Sequence, residues 1–300
     1  SPGSVDAGGP GARADQRAAG AGPQPCWPTA VTAGLPRGLL EVLPVHTART
    51  WVLLRDSLPE SLVLYGGTAL AAHLHHRVSR DLDFFSARPL DVSALRAMLE
   101  SVGTFAVTTD EADTLNGVFN DTKVQFLRVR DQDAVEPPVV VAGIPVASLR
   151  DIAATKLKTI ADRGELRDYF DLMTIEQHTA ITIEAALQDY QERYRTRDRN
   201  TLLHIIRALG TFSDVIDDPG LPASRVSIER YWTRRVRTLV LSVDTTGTVA
   251  TQRAEPGVLT SSAVPPVTPA ASSSGPGAGR VWVEAHERNG RLVQGYWRRR

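Results

Sequence analysis

An α+β fold, a sheet with flanking helices followed by an all-helical lobe, is what this sequence predicts, and three observations carry the prediction. The stretch Leu62–Phe85, LVLYGGTALAAHLHHRVSRDLDFF, reads as a strand, a Gly-Gly-Thr turn, a helix and a second strand. Three further strand-like runs follow, FAVTT (105–109), TLNGVF (114–119) and KVQFLRV (123–129). Beyond residue 148 the apolar spacing becomes helical and stays so to about residue 243.

In chain order, residues 1–30 are rich in Gly, Ala and Pro and cannot bury enough surface to offset the entropy of ordering, so a disordered tail is expected. From Leu35 to Leu58, GLLEVL and TWVLLRDSL suit one or two helices. LVLY (62–65) is a short buried strand, Gly66 and Gly67 let the chain turn sharply into a helix at ALAAHLHHR, and Asp81–Phe85 is the next strand. Asp91 is the N-cap of a helix VSALRAMLESV. An Asn120-Asp121 turn joins the last two of the three strands, and VVVAGIPVA is a further extended segment. Ser148 and Asp151 form a capping box for the helix through IAATKLKTIAD, which Gly164 ends. ELRDYFDLMTIEQH and the stretches 182–194, 201–212 and 227–241 are four more helices. The expected organisation is thus a tail (1–30), an α+β lobe (35–147), a helical lobe (148–243), a Pro/Ser/Thr/Gly-rich linker (244–279) and a basic hairpin tail (280–300) turning at Asn289-Gly290.

Charges balance to a formal net charge of zero, so the whole chain has no strong pull on nucleic acid or acidic membranes, and any such contact needs a local patch. The single cysteine, Cys26, excludes a disulfide framework and a cysteine-rich zinc cluster. There is no signal-peptide apolar core and no run long enough to span a bilayer, so a soluble, cytoplasmic protein is expected. Positive charge is nearly all arginine; the only lysines are Lys123, Lys156 and Lys158.

Backbone N–H groups at Gly67, Thr68 and the helix start, helped by the helix dipole, favour a phosphate, and the Thr68 hydroxyl adds a donor. Strand alternation puts Asp81 and Asp83 on one face, where like charges repel unless a cation neutralises them. Magnesium held by carboxylates and substrate phosphates is the natural cation. GGT alone is an ordinary turn and DLD alone a solvated strand edge; together, in this order, they point to phosphoryl chemistry.

Gly66-Gly67-Thr68, then Arg77 and Ser79, then Asp81-Leu82-Asp83-Phe84-Phe85 resemble the first two motifs of the AbiEii/MenT-type toxins, a branch of the polymerase-beta-like minimal nucleotidyltransferases. Asp151 with Lys156, and Arg167-Asp168 with Asp171-Leu172, resemble the third and fourth motifs, so the resemblance covers about Leu62 to Leu239. It implies a nucleotidyltransferase-fold mixed sheet with flanking helices, packed on the helical C-terminal lobe. It implies an enzyme that moves a nucleoside monophosphate from an NTP to an acceptor, the tRNA 3′ end, with Mg2+ and release of pyrophosphate, and a cognate antitoxin protein as partner. By the same resemblance Asp81, Asp83, Lys156 and Asp171 are catalytic, with Asp81 and Asp83 holding the metal. Gly66, Gly67, Thr68, Arg77 and Lys156 would bind the nucleotide, and Ser79, Asp151, Arg167 and Asp168 would support the site.

The residues add their own tests. Lys156 is a lysine in a chain that otherwise uses arginine, and an ammonium is a point charge that a guanidinium does not replace well. Lys158 points about 200° away around the helix and is expected in solvent. Asp168 and Asp171 share a helix face, with Arg167 placed to pair with Asp171. Where many superfamily members have a third carboxylate on a later strand, this chain offers Gln125, a weak magnesium ligand and no base, which leaves the general base open. Two other readings also stay open: a same-fold enzyme modifying a small-molecule or protein hydroxyl, and a non-catalytic member that binds nucleotide, RNA or a partner. His73, His75 and His76 are expected on a polar helix face, with Arg77 near that helix's C-terminus. Arg193, Arg195, Arg197 and Arg199 read as a solvated face, and Arg230, Arg234, Arg235 and Arg237 beside Tyr231-Trp232 as a solvated face or a nucleic-acid groove.

Overall fold

The computed structural model describes residues 34–243 and 247–250, and the backbone of four strands between 280 and 299. The expected N-terminal tail, with Cys26, lies outside the described residues. The chain opens with α1 (Arg37–Val42) and α2 (Val45–Leu54), then runs through β1 (Val63–Tyr65), α3 (Gly66–Leu74), β2 (Leu82–Ser86) and α4 (Val92–Val102). Next come β3 (Phe105–Glu111), β4 (Thr114–Phe119), β5 (Thr122–Arg128), β6 (Val139–Val141) and β7 (Ile144–Val146). The helical lobe is α5 (Leu149–Arg163), α6 (Leu166–His178), α7 (Ile183–Arg193), α8 (Arg199–Leu209) and α9 (Arg225–Ser242).

The strands β1 to β7 form one mixed sheet in the order β3-β4-β5-β2-β1-β7-β6. The pairs β2/β5 and β1/β7 are parallel, while β1/β2, β3/β4, β4/β5 and β6/β7 are antiparallel. Alternation then sorts the side chains. Leu82, Phe84, Val124 and Phe126 are fully buried in the core, and α2 closes over that face with Thr50 Oγ1 bonded to Thr122 Oγ1 at 3.0 Å. Asp81, Asp83, Lys123 and Gln125 are left on the opposite face. The apolar core runs unbroken from the sheet into the helical lobe, where Leu157, Leu172, Leu187, Ile205 and Trp232 are buried. The α+β fold with its mixed sheet, flanking helices and helical C-terminal lobe is the one expected.

Local chemistry explains most boundaries. Asp91 caps α4 by accepting from the Ala94 amide at 2.9 Å, and Asn120 and Asp121 turn the β4/β5 hairpin with φ of 44° and 66°. Two stretches differ from expectation. VVVAGIPVA is a hairpin, because Ala142 and Gly143 take φ of 46° and 88° and reverse the chain between β6 and β7. The helix after the Gly-Gly turn stops at Leu74, where His75 takes a left-handed φ of 50°, so His75, His76 and Arg77 are not helical.

Residues 247–250, expected to open the linker, are held to the helical lobe. Val249 is buried and bridges Val243, while Gln188 and Gln191 donate to the Val249 and Gly247 carbonyls, each at 2.8 Å. Residues 251–279 of that expected linker lie outside the described residues. The C-terminal strands β8 (Arg280–Val283), β9 (His286–Arg288), β10 (Arg291–Val293) and β11 (Tyr296–Arg299) belong to a separate compact unit. In it β9 pairs antiparallel with β10 and β8 with β11. The expected turn at Asn289-Gly290 lies outside the described residues.

Candidate active site

β1 runs into α3 with no spacer, and Gly66 makes this possible with a φ of 73°. A Cβ at Gly66 would lie 2.5 Å from Asp83 Oδ2, and one at Gly67 would lie 2.5 Å from Arg77 Nη2 and 3.1 Å from Ser79 Oγ. The two glycines therefore let a carboxylate and a guanidinium close against the backbone of the turn. Thr68 is buried, and its hydroxyl donates to the Asp81 carbonyl while accepting from Ser79 Oγ at 2.8 Å. That hydroxyl, expected as a phosphate donor, instead fixes the first turn of α3 to the start of β2, with Ser79 as its second tie.

The turn and both carboxylates open onto one cleft of about 630 Å³. Asp81, Asp83 and Gln125 line its sheet side, and Lys156, Arg163 and Asp168 its helical side. Asp83 and Gln125 are direct partners in the β2/β5 register, so the neutral amide stands beside the carboxylate. Burial and then the charge of Asp81 push the Asp83 carboxyl up to about 6, against the pull of Lys156, Lys123 and Arg163. A divalent cation would relieve that repulsion. No group of three or more His, Cys, Asp or Glu suited to a metal occurs among the described residues. Asp81 and Asp83 in the cleft offer the one or two carboxylates that magnesium takes, a shell that substrate phosphates and water would complete. Bound there, the ion would neutralise phosphate charge.

Beneath the cleft wall lies a buried ionic network. Arg77 grips Asp171 with Nε at 2.6 Å from Oδ1 and Nη2 at 2.8 Å from Oδ2. Lys156 Nζ lies 2.7 Å from Asp171 Oδ2 and 2.6 Å from Asp168 Oδ1. His76 Nε2 donates to Asp171 Oδ1 at 2.8 Å, and its ring stacks on Phe170. Burial works against an ionised Asp171, but Lys156 and Arg77 outweigh it and hold the carboxyl well below the usual range. Burial likewise disfavours the Lys156 ammonium, and Asp171 and Asp168 more than offset it, raising its pKa. Arg77, Lys156 and Asp168 line the cleft; Asp171 does not, and contacts both cations from behind it.

Several expectations about pairing are corrected. Arg167 does not reach Asp171; it is exposed at the cleft and pairs with Glu165 at 2.9 Å, because Arg77 already occupies both Asp171 oxygens. Of the three histidines only His73 is on the helix, and its ring bonds the Ala147 carbonyl at 2.8 Å. Asp151 is buried away from the cleft, where it accepts from Ser148 Oγ, the Val135 and Glu136 amides and Arg193 Nη1 at 2.7 to 3.1 Å. Arg193 is not on a solvated face: at 2% exposure it packs over the Tyr65 ring and bonds its hydroxyl, tying α5 and α7 to the residue before the Gly-Gly turn. Arg235 pairs with Glu176 and Glu184 and Trp232 is core, while Arg230, Arg234 and Arg237 are exposed. Lys158 is half-exposed and pairs with Asp162, as its helix position requires.

The cleft also holds Arg80, Lys123 and Arg163, which the sequence reading did not single out. Lys123 was legible, since it lies two residues before Gln125 on the same strand face. Arg163 had no such signal.

The family model described as nucleotidyl transferase AbiEii toxin, type IV toxin–antitoxin system, matches residues 51–252. The chain belongs to this family. It is accordingly a nucleotidyltransferase, and the match takes in both the sheet and the helical lobe but not the C-terminal strands. An uncharacterized protein of Aquifex aeolicus (strain VF5) is 28% identical over 173 residues, 56% of this chain and 80% of the relative. Among solved structures, MenT4, a nucleotidyltransferase toxin of Mycobacterium tuberculosis H37Rv, is 18% identical and covers 70% of this chain and 89% of its own, with a TM-score of 0.47. The polyadenylate synthase of Megavirus is 16% identical and covers 55% of this chain and 35% of its own, with a TM-score of 0.31.

Proposed function

We propose that this AbiEii-family toxin transfers a nucleoside monophosphate from an NTP to the 3′ end of tRNA and releases pyrophosphate, with magnesium held by Asp81 and Asp83. The observation that supports this reading most is the single cleft in which a paired-carboxylate strand faces a glycine turn and the Lys156 ammonium. In the reaction the acceptor hydroxyl oxygen bonds to the α-phosphorus, the bond from that phosphorus to the bridging oxygen breaks, and pyrophosphate departs with that oxygen. The hydroxyl proton passes to water. Such chemistry asks the protein mainly for position and charge neutralisation.

The roles follow the placement. The Gly66 and Gly67 backbone and the start of α3 receive phosphate. Lys156 has three donors; two face Asp168 and Asp171, and the third is left for a phosphate oxygen. Arg77 adds charge beside Gly67, and Asp171 keeps both cations in place. As a toxin of this family the chain is expected to be restrained by a cognate antitoxin protein and to act where its substrates are, in the cytoplasm. No helix among the described residues is long and apolar enough to cross a membrane.

The test is incubation of the purified protein with each labelled NTP, magnesium and total tRNA, beside Asp83→Ala. Label at the tRNA 3′ end, absent with the variant, is the expected result. Label on protein or a small molecule instead would replace the acceptor, and equal labelling by the variant would remove Asp83 from the reaction.

A further inference from the structure

The carboxylate strand divides the cleft. β2 lies between β1, which delivers Gly66 and Gly67, and β5, which carries Lys123 and Gln125. The pairs Leu82/Val124 and Asp83/Gln125 fix the register, so the position one step earlier sets Lys123 beside Asp81. α5, which supplies Lys156, packs on α3 and so belongs to the β1 side.

We infer that Lys123 binds the acceptor, taking a phosphate of an RNA strand that crosses β5 on the side of the carboxylates away from the Gly66-Gly67 turn. The inference rests on the transfer reaction proposed above. In phosphoryl transfer the attacking and leaving oxygens stand roughly in line on opposite sides of the phosphorus. With the pyrophosphate on the turn and Lys156, the attacking hydroxyl must arrive from the β5 side. The charges agree with this division. Arg77 and Lys156 are balanced by Asp171 and Asp168, whereas the Lys123 side chain is exposed and makes no hydrogen bond or ion pair with any described residue. Its charge is felt at Asp83, so it stands close to the reacting centre. Beyond it the sheet face continues uncovered, with Val118 in register with Lys123 and 40% exposed. A polyanionic strand gains from a lysine at this place; a small neutral acceptor does not.

The experiment is steady-state transfer to total tRNA by the full chain, comparing wild type with Lys123→Met and Lys123→Arg at several salt concentrations. The expected result for K123M is a KM for tRNA raised about tenfold, a KM for NTP unchanged, and a logarithmic salt slope for tRNA smaller by about one, with K123R close to wild type. An unchanged KM for tRNA, or a rise confined to the KM for NTP, overturns the inference while the transfer reaction stands. Absence of tRNA labelling by the wild type overturns the proposed acceptor, and this inference with it.

Discussion

The Lys156 ammonium sits 2.7 Å from Asp171 Oδ2, and only the lysine of that pair reaches the cleft. The carboxylate behind it is also gripped by Arg77, so a single buried side chain sets the position of two cations from different lobes. In the proposed reaction its contribution is geometric.

Asp171→Asn should therefore cost both stability and rate. Removing one partner of a buried ionic network leaves uncompensated charge, about 3 kcal/mol or more of destabilisation, and misplaced cations cost about a hundredfold in rate. The pH dependence has a sign. The folded Asp171 carboxyl is held well below its unfolded value, so its stabilisation is complete above the unfolded pKa of about 4 and is lost as pH falls towards the folded value. Urea midpoints should show the full gap between wild type and variant at pH 7 and a smaller one at pH 3.5. An equal gap at both would mean that the ionised carboxylate is not what stabilises.

Asp83 has the opposite sign. Its folded pKa of about 6 lies above the unfolded value of 3.8, so the fold favours the protonated form. The penalty on stability is absent below about pH 4, grows as pH rises to about 6, and is complete above that. Asp83→Asn should abolish transfer yet raise the thermal midpoint in metal-free buffer at pH 8, by the equivalent of about 2–3 kcal/mol, with no gain at pH 4. Added magnesium should raise the wild-type midpoint and leave that of the variant alone. A variant less stable than wild type at pH 8 in chelator would contradict the penalty that burial and the Asp81 charge place on the ionised Asp83 carboxyl.

Local patterns in the sequence exposed the strand, turn, helix and strand around Gly66, and the alternation that separates Asp81 and Asp83 from Leu82 and Phe84. Such patterns have short range: they report a face or a cap. The partner of Asp171 was not legible, because Arg77 lies 94 positions away and reaches it only after α3 ends early at His75. Arg167, the neighbour that helix spacing offered, turned outward. Arg193 looked like one of four surface arginines, and nothing local distinguished it from Arg195, which pairs with Asp133 in solvent. Its burial depends on Asp151 and Tyr65 arriving from 42 and 128 positions away.

Arg193→Met should destabilise strongly, by about 3–5 kcal/mol, since it leaves Asp151 buried without its charge partner. Tyr65→Phe removes one hydrogen bond to the same guanidinium and should cost only about 1 kcal/mol. In urea unfolding, Asp151→Asn combined with Arg193→Met should cost less than the sum of the two single changes. Additive costs would show that the two charges do not stabilise one another.

Gly66→Ala tests the turn itself. The residue holds a φ of 73°, where an L side chain is strained, and its new Cβ would meet Asp83 Oδ2 at 2.5 Å. The backbone term costs about 1–2 kcal/mol. The steric term is more damaging to function, because the atom that must move is a carboxylate oxygen of the proposed metal-binding pair. Gly67→Ala differs: its backbone is unstrained, but the Cβ meets Arg77 Nη2 at 2.5 Å, an atom held in place by Asp171 Oδ2. Transfer rates should therefore fall about a hundredfold or more for Gly66→Ala, where the carboxylate itself must move, and less for Gly67→Ala, while thermal midpoints fall by a few degrees for both. Equal losses of rate in both variants would mean that the turn serves only to bind phosphate, and that the contact between Gly66 and Asp83 has no part in holding the carboxylate in place.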